Sequence, residues 1–65
     1  MRYTVIKRNI KTWNVEADYG SFTEIEDVKA IVKGYKKDEL LYEKFGFLCF
    51  TRVGSNHIYD VTVDL

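Results

Sequence analysis

The sequence has no proline, a single cysteine and no excess of either charge. Because Cys49 is the only cysteine, an internal disulfide and a cysteine-based zinc site are both excluded. Secreted domains of this size usually carry several disulfides, so we expect a reducing, cytoplasmic compartment. Residues 1–10 alternate polar and apolar side chains, which is typical of neither a signal peptide nor a membrane span.

The ten basic and ten acidic residues cancel. Nucleic-acid-binding proteins usually show a basic excess, so the net charge selects no class of partner. Hydrophobic residues make up 46% of the 65 residues and aromatic residues 15%, which is enough to build one hydrophobic core. We therefore predict a single small globular domain over residues 1–65.

The first third of the chain predicts a β-hairpin. Residues 3–8 are rich in β-branched side chains, and residues 12–19 alternate apolar and polar side chains with a period of two. A connection over residues 9–11 would set Val5 opposite Val15 in the hairpin.

A helix is predicted from about Thr23 to Lys33. Thr23 and Glu26 have the spacing of a capping box, and Gly34 suits the turn that ends the helix. Apolar side chains recur at helical spacing on one face of this segment: Ile25, Val28, Ile31, Val32 and Tyr35.

Residues 38–45 allow two interpretations. Asp38 could cap a short second helix, or the same segment could form a strand at a sheet edge. The C-terminal part predicts a second hairpin, with strands over residues 47–53 and 57–65 and a turn at residues 54–56. Its three-residue loop would pair Cys49 with Val61. The expected fold is α+β, of order ββα(α)ββ, with two hairpins in a four-stranded antiparallel sheet and one main helix packed on one face.

No catalytic, cofactor or metal site is expected from the sequence. In the predicted register, Cys49 and His57 are separated by about 13 Å along the sheet, beyond the reach of a nucleophile and its base. The acidic residues near Thr23 are explained by the helix dipole. The four glycines fall at element boundaries and form no phosphate-binding loop.

One set of residues is not explained by the predicted core. The sheet face opposite the main helix should be polar, but it carries four apolar side chains: Ile6, Leu48, Phe50 and Ile58. If these four adjoin, they form an exposed apolar patch of the kind found at protein interfaces. Two other interpretations remain open: Leu40, Leu41 and Phe45 cover the patch, or these are scattered surface residues without a role.

The sequence therefore favours a non-enzymatic protein-interaction module, either a homodimer or a small modulator or inhibitor of another protein. Short chains without catalytic groups are common among bacteriophage and mobile-element accessory proteins, which is an association of size alone. The alternative is a small nucleic-acid-binding domain, in which Tyr35 or Trp13 stacks on a base. Its phosphate contacts would come from two basic clusters: Lys7, Arg8, Lys11, Lys33, Lys36 and Lys37.

Overall fold

A computed structural model describes residues 1–45 and 48–64, except for the side chain of Phe45. These ranges form five strands and two helices. In chain order they are β1 (Arg2–Asn9), β2 (Val15–Phe22), α1 (Ile25–Ile31), β3 (Lys36–Lys37), α2 (Glu39–Phe45), β4 (Leu48–Thr51) and β5 (His57–Asp64). The roles predicted for the Phe45 side chain, for Phe47 and for Leu65 lie outside the described residues.

The five strands form one antiparallel sheet in the order β2-β1-β5-β4-β3. The predicted α+β class and antiparallel sheet are confirmed, but the predicted four strands and one main helix do not match the five strands and two seven-residue helices of the described residues. The additional strand is β3, which pairs Lys36 with Thr51 and Lys37 with Phe50 at the sheet edge. A strand of two residues is too short to show a period-two pattern, so the sequence gives no sign of it.

The core lies between α1 and one face of the sheet, termed here the α1 face. Val28 of α1 and Val32, the residue that caps the C-terminal end of α1, are buried against Val5, Tyr59 and Val61. Val5 and Val61 stand opposite each other on β1 and β5. Burial of each such valine contributes about 1.5–3 kcal/mol to the free energy of unfolding. The apolar stripe predicted for the helix is therefore the side that packs on the sheet.

The ends of α1 differ from the prediction. The helix begins at Ile25, and its N-cap residue Glu24 makes no side-chain capping bond. The predicted capping box of Thr23 and Glu26 is therefore wrong. The Asp27 N–H instead donates to the backbone oxygen of Glu24 at 3.2 Å, so the backbone alone closes the first turn. Gly34 has a φ of +86° in the turn that follows the helix, a region that favours glycine.

Residues 38–45 adopt the helical alternative. Asp38 Oδ1 accepts a hydrogen bond from the Leu41 N–H at 3.1 Å, which is a side-chain cap of α2. The Asp38 N–H donates to the Cys49 oxygen at 2.8 Å, and the Thr51 hydroxyl donates to Asp38 Oδ2 at 3.4 Å. Asp38 therefore both starts α2 and joins it to β4.

The first hairpin has a longer loop than predicted. Its loop spans residues 10–14, closed by a bond from the Asn9 N–H to the Asn14 oxygen at 2.9 Å. Asn9 Oδ1 also accepts from the N–H groups of Lys11 and Thr12. Val5 consequently stands opposite Gly20, not opposite Val15. The strand predicted over residues 12–19 is displaced to Val15–Phe22, and its pairing with β1 contains two register shifts.

The second hairpin is displaced by one residue from the predicted register. Leu48 stands opposite Val61 and Phe50 opposite Tyr59, because the loop runs over residues 52–56 and not over residues 54–56. A displacement of one residue moves every side chain of a strand to the other face. Leu48 and Phe50 therefore lie on the α1 face, whereas Cys49 lies on the opposite face, termed here the second face.

Candidate functional site

The four apolar residues predicted to form one patch are divided between the two sheet faces. Leu48 and Phe50 pack against the core on the α1 face. Ile58 is fully buried and Ile6 half-buried, and both belong to the second face by strand alternation. The predicted single patch is therefore not formed, and the cause is the one-residue displacement of β4. A contact between any of the four and a partner stays a prediction.

The second face contains a buried ion pair between β1 and β5. Asp60 is only 6% exposed, and its Oδ2 accepts a hydrogen bond from Arg8 Nε at 3.1 Å. Arg8 Nη1 donates to the Trp13 backbone oxygen at 3.0 Å, and Arg8 Cζ lies 5.8 Å from the centre of the Trp13 ring. The guanidinium of Arg8 is therefore engaged inside the domain, which places this residue apart from the predicted phosphate-binding set.

Cys49 is fully buried on the second face, opposite Asp60. Burial raises the pKa of its thiol to about 11, and the charges of Asp60 and Asp38 add to this increase. A thiol with this pKa is protonated at neutral pH and is a poor nucleophile. His57 lies two residues before Tyr59 of the α1 face and pairs with Glu16 Oε1 through its Nδ1. Cys49 and His57 are thus on different faces, whereas the sequence placed them on the same one.

Within residues 1–45 and 48–64, no three His, Cys, Asp or Glu side chains come close enough together to hold a metal ion. Neither helix in these ranges is long and apolar enough to cross a membrane.

Three connecting segments are bonded to one another at one end of the sheet. The Ile10 N–H donates to the Asn56 oxygen at 3.0 Å, which joins the β1–β2 and β4–β5 loops. A hydrogen bond of 2.7 Å between Tyr35 Oη and Ser55 Oγ joins the segment after α1 to the β4–β5 loop. Residues 10–15, 32–36 and 52–56 are termed here the loop end. Because these two hydrogen bonds join the three segments, the loop end is a connected surface and not three separate loops.

The loop end is basic, although the chain as a whole is neutral. It carries four exposed cations and no carboxylate: Lys11, Lys33, Lys36 and Arg52. At the other end of the sheet, Arg2 and Asp64 pair at the strand ends and share a pocket with Met1 and Thr23. The adjoining segment at the start of α1 carries Glu24, Glu26 and Asp27. The loop end is therefore basic and the segment at the start of α1 acidic, a separation that a neutral net charge does not reveal.

The six basic residues predicted for nucleic-acid binding are only partly brought together. Lys11, Lys33 and Lys36 lie at the loop end. Lys7 is half-buried opposite Tyr59, and Lys37 pairs with Glu39 at 3.6 Å. Sequence reasoning missed Arg52, which joins the loop end through the β4–β5 loop. Its position could have been inferred only with the correct length of that loop.

Apolar side chains are exposed among these cations. Ile10, Val15 and Val53 all lie at the loop end, and Val53 is fully exposed. Next to Val53 is an open groove of about 290 Å³, lined by Gly34, Lys36, Thr51, Arg52 and Val53. Arg52 Cζ lies 5.2 Å from the centre of the Tyr35 ring, a cation–π geometry. The loop end thus combines exposed aliphatic side chains, exposed cations and a groove.

The function of the chain has to be inferred from this geometry. Comparison with protein-family models, with curated proteins and with solved structures finds no match to this chain.

Proposed function

We propose that this domain is a non-enzymatic protein-interaction module, a homodimer or a small modulator of another protein, that contacts its partner through the loop end. The observation that carries the proposal is the fully exposed Val53. It belongs to the loop end, which also exposes Ile10 and Val15 and whose three segments are hydrogen-bonded to one another. Exposed aliphatic side chains with a polar rim are characteristic of protein contact surfaces.

The contacts within the loop end also support binding. Tyr35 is fixed by its bond to Ser55 and by an edge-to-face contact with Tyr59, whose ring centre is 4.8 Å away. Arg52 makes a cation–π contact with Tyr35. Tyrosine and arginine are enriched among the residues that dominate binding energies at interfaces. Loops held in place before binding also lose less conformational entropy when a partner docks.

This surface differs from the one predicted from the sequence. Leu48 and Phe50 are part of the core on the α1 face, so an interface built on them would need the domain to open. Val53, two residues beyond the end of β4, is exposed without any rearrangement. The proposal therefore keeps the predicted class of function and moves its surface to the loop end.

The test compares Val53→Asp with Leu40→Asp, an aliphatic residue of α2 that is 78% exposed and lies outside the loop end. Both variants should keep the circular dichroism spectrum and unfolding midpoint of the wild type. We expect Val53→Asp to lose the protein partner captured from native extract, or the dimer seen by sedimentation velocity, while Leu40→Asp retains it. Equal capture and equal sedimentation for both variants and the wild type would contradict the proposal.

Nucleic-acid binding is the second candidate, and the absence of carboxylates from the loop end is the observation that favours it. Phosphate contacts give an affinity that falls steeply with salt. Labelled single- and double-stranded oligonucleotides should then bind at low salt, and Lys11→Gln and Lys36→Gln should each weaken this binding and reduce its salt dependence. A lack of salt-sensitive binding to either form removes this candidate.

A further inference from the structure

We infer that the groove lined by Gly34, Lys36, Thr51, Arg52 and Val53 binds a carboxylate of an acidic segment in a partner protein. This inference rests on the proposed function and names the chemistry of the partner. It depends on the position of Arg52, on the second cation that lines the groove and on the aliphatic side chain beside it.

Arg52 lies beside an aromatic ring at the groove. Its guanidinium carbon lies 5.2 Å from the Tyr35 ring centre, and Tyr35 is itself held by Ser55. A guanidinium can form two parallel hydrogen bonds to a carboxylate, which suits an exposed arginine for this ligand. Among the described residues, no carboxylate pairs with Arg52.

The groove is lined by a second cation and is open at Gly34. Lys36 stands opposite Thr51 in the β3–β4 pair and lines the same groove. A side chain is absent at Gly34, and nothing lies within 4 Å of the position that a Cβ would occupy there. The Thr51 hydroxyl donates to Asp38, whose other oxygen caps α2, so the Asp38 carboxylate is hydrogen-bonded within the domain. Among the described residues that line the groove, two are cations and none is a carboxylate.

The groove fits a protein segment better than a nucleic acid. Val53 is fully exposed at the rim, and an aliphatic contact next to a guanidinium suits an acidic residue flanked by an apolar one. A volume of about 290 Å³ is that of a few side chains. A nucleic-acid strand instead requires a row of cations along its backbone, together with exposed rings for its bases.

The experiment is a titration of the isotopically labelled full chain followed by amide NMR shifts. The probe is an acetylated and amidated peptide that alternates glutamate with valine, and the comparison ligands are its lysine counterpart, inorganic phosphate and oligothymidylate. We expect saturable shifts confined to residues 34–36 and 51–53 with the glutamate peptide alone. Arg52→Gln should weaken this binding roughly tenfold, since a charge-assisted hydrogen bond is lost.

Two further variants test the role of the arginine. Arg52→Lys keeps the charge but loses the paired N–H edge, so its affinity should fall below that of the wild type. Arg2→Gln removes an exposed arginine at the opposite end of the sheet and should bind as the wild type does. The inference would be overturned if Arg52→Gln bound the glutamate peptide as tightly as the wild type, or if no saturable shifts appeared. It would also be overturned if the lysine peptide bound equally well, or if phosphate or oligothymidylate bound more tightly.

Failure of this inference is distinguishable from failure of the proposed function. If partner capture is lost with Val53→Asp but unchanged with Arg52→Gln, the loop end binds protein and the carboxylate site is wrong. If neither substitution affects capture or self-association, the proposed function is wrong.

Discussion

Arg8 and Asp60 form an ion pair that joins β1 to the centre of the sheet, with 3.1 Å between Arg8 Nε and Asp60 Oδ2. Asp60 is almost completely buried, and its Oδ1 has no hydrogen-bond partner among the described residues. A buried carboxylate is costly unless it is paired, and the removal of its partner is costlier than the replacement of both groups. The stability of the second face therefore depends on Arg8.

The substitution Arg8→Met should lower the free energy of unfolding by about 3 kcal/mol, because it leaves the Asp60 charge buried without a partner. The measurement is urea unfolding monitored by fluorescence. The double variant Arg8→Met/Asp60→Leu should lose less stability than the sum of the two single variants. Arg2→Met, at an exposed position, should stay within about 0.5 kcal/mol of the wild type. A loss of the same size in Arg8→Met and Arg2→Met would show that the pair is not buried in solution.

Phe50 tests the register of the second hairpin. Because it packs against the core on the α1 face, Phe50→Ala should lower the free energy of unfolding by about 2–3 kcal/mol. Val53→Ala, at an exposed position, should change it by less than about 0.5 kcal/mol. Chemical denaturation measures both. A Phe50→Asp variant that stays folded would instead restore the exposed patch predicted from the sequence.

The raised pKa of the Cys49 thiol predicts a loss of stability at alkaline pH. Burial raises the pKa of the folded-state thiol from 9.0 to about 11, so the unfolded chain releases the proton first as the pH rises. The contribution of the protonated Cys49 thiol to the free energy of unfolding is fully present below pH 9.0 and is lost as the pH rises towards 11. Unfolding midpoints measured across this range should decline more steeply for the wild type than for Cys49→Ala. Parallel curves for the wild type and Cys49→Ala would contradict this prediction. Alkylation of the native thiol should also be slow until denaturant is added.

Asp38 tests the junction between α2 and β4. Asp38→Ala removes the helix cap and the acceptor of the Thr51 hydroxyl, so we expect a loss of about 1 kcal/mol in the free energy of unfolding. Asp38→Asn keeps an acceptor oxygen and should lose less. Glu39→Ala is the control, because the Lys37–Glu39 pair is exposed to solvent. Equal stability of the three variants would show that the cap makes no contribution.

Local patterns predicted the parts of this fold that depend on neighbouring residues. The apolar stripe that includes Val28 and Val32 packs on the sheet, and Asp38 caps a helix. The strand registers were not predictable in the same way, because each depends on the length of a loop. Asn9 and the residues after it form a longer loop than the turn residues suggested, and so do residues 52–56.

The candidate site was less predictable than the fold, for the same reason. The predicted register of β4 was wrong by one residue. It placed Cys49 on the α1 face and Phe50 on the second face, whereas the structure has the reverse. Lys36 and Arg52 line the same groove because β3 pairs with β4. The sequence could not predict this, since β3 is too short to show a pattern. The charge separation likewise depends on strand direction, and composition does not contain that information.

The position of β5 between β1 and β4 has a consequence for synthesis of the chain. A nascent chain that has emerged from the ribosome only as far as Asn56 holds the β1–β2 hairpin and β4, but not the strand that lies between them. A two-stranded hairpin is at best marginally stable in water. The sheet therefore closes only after residues 57–64 have emerged from the ribosome.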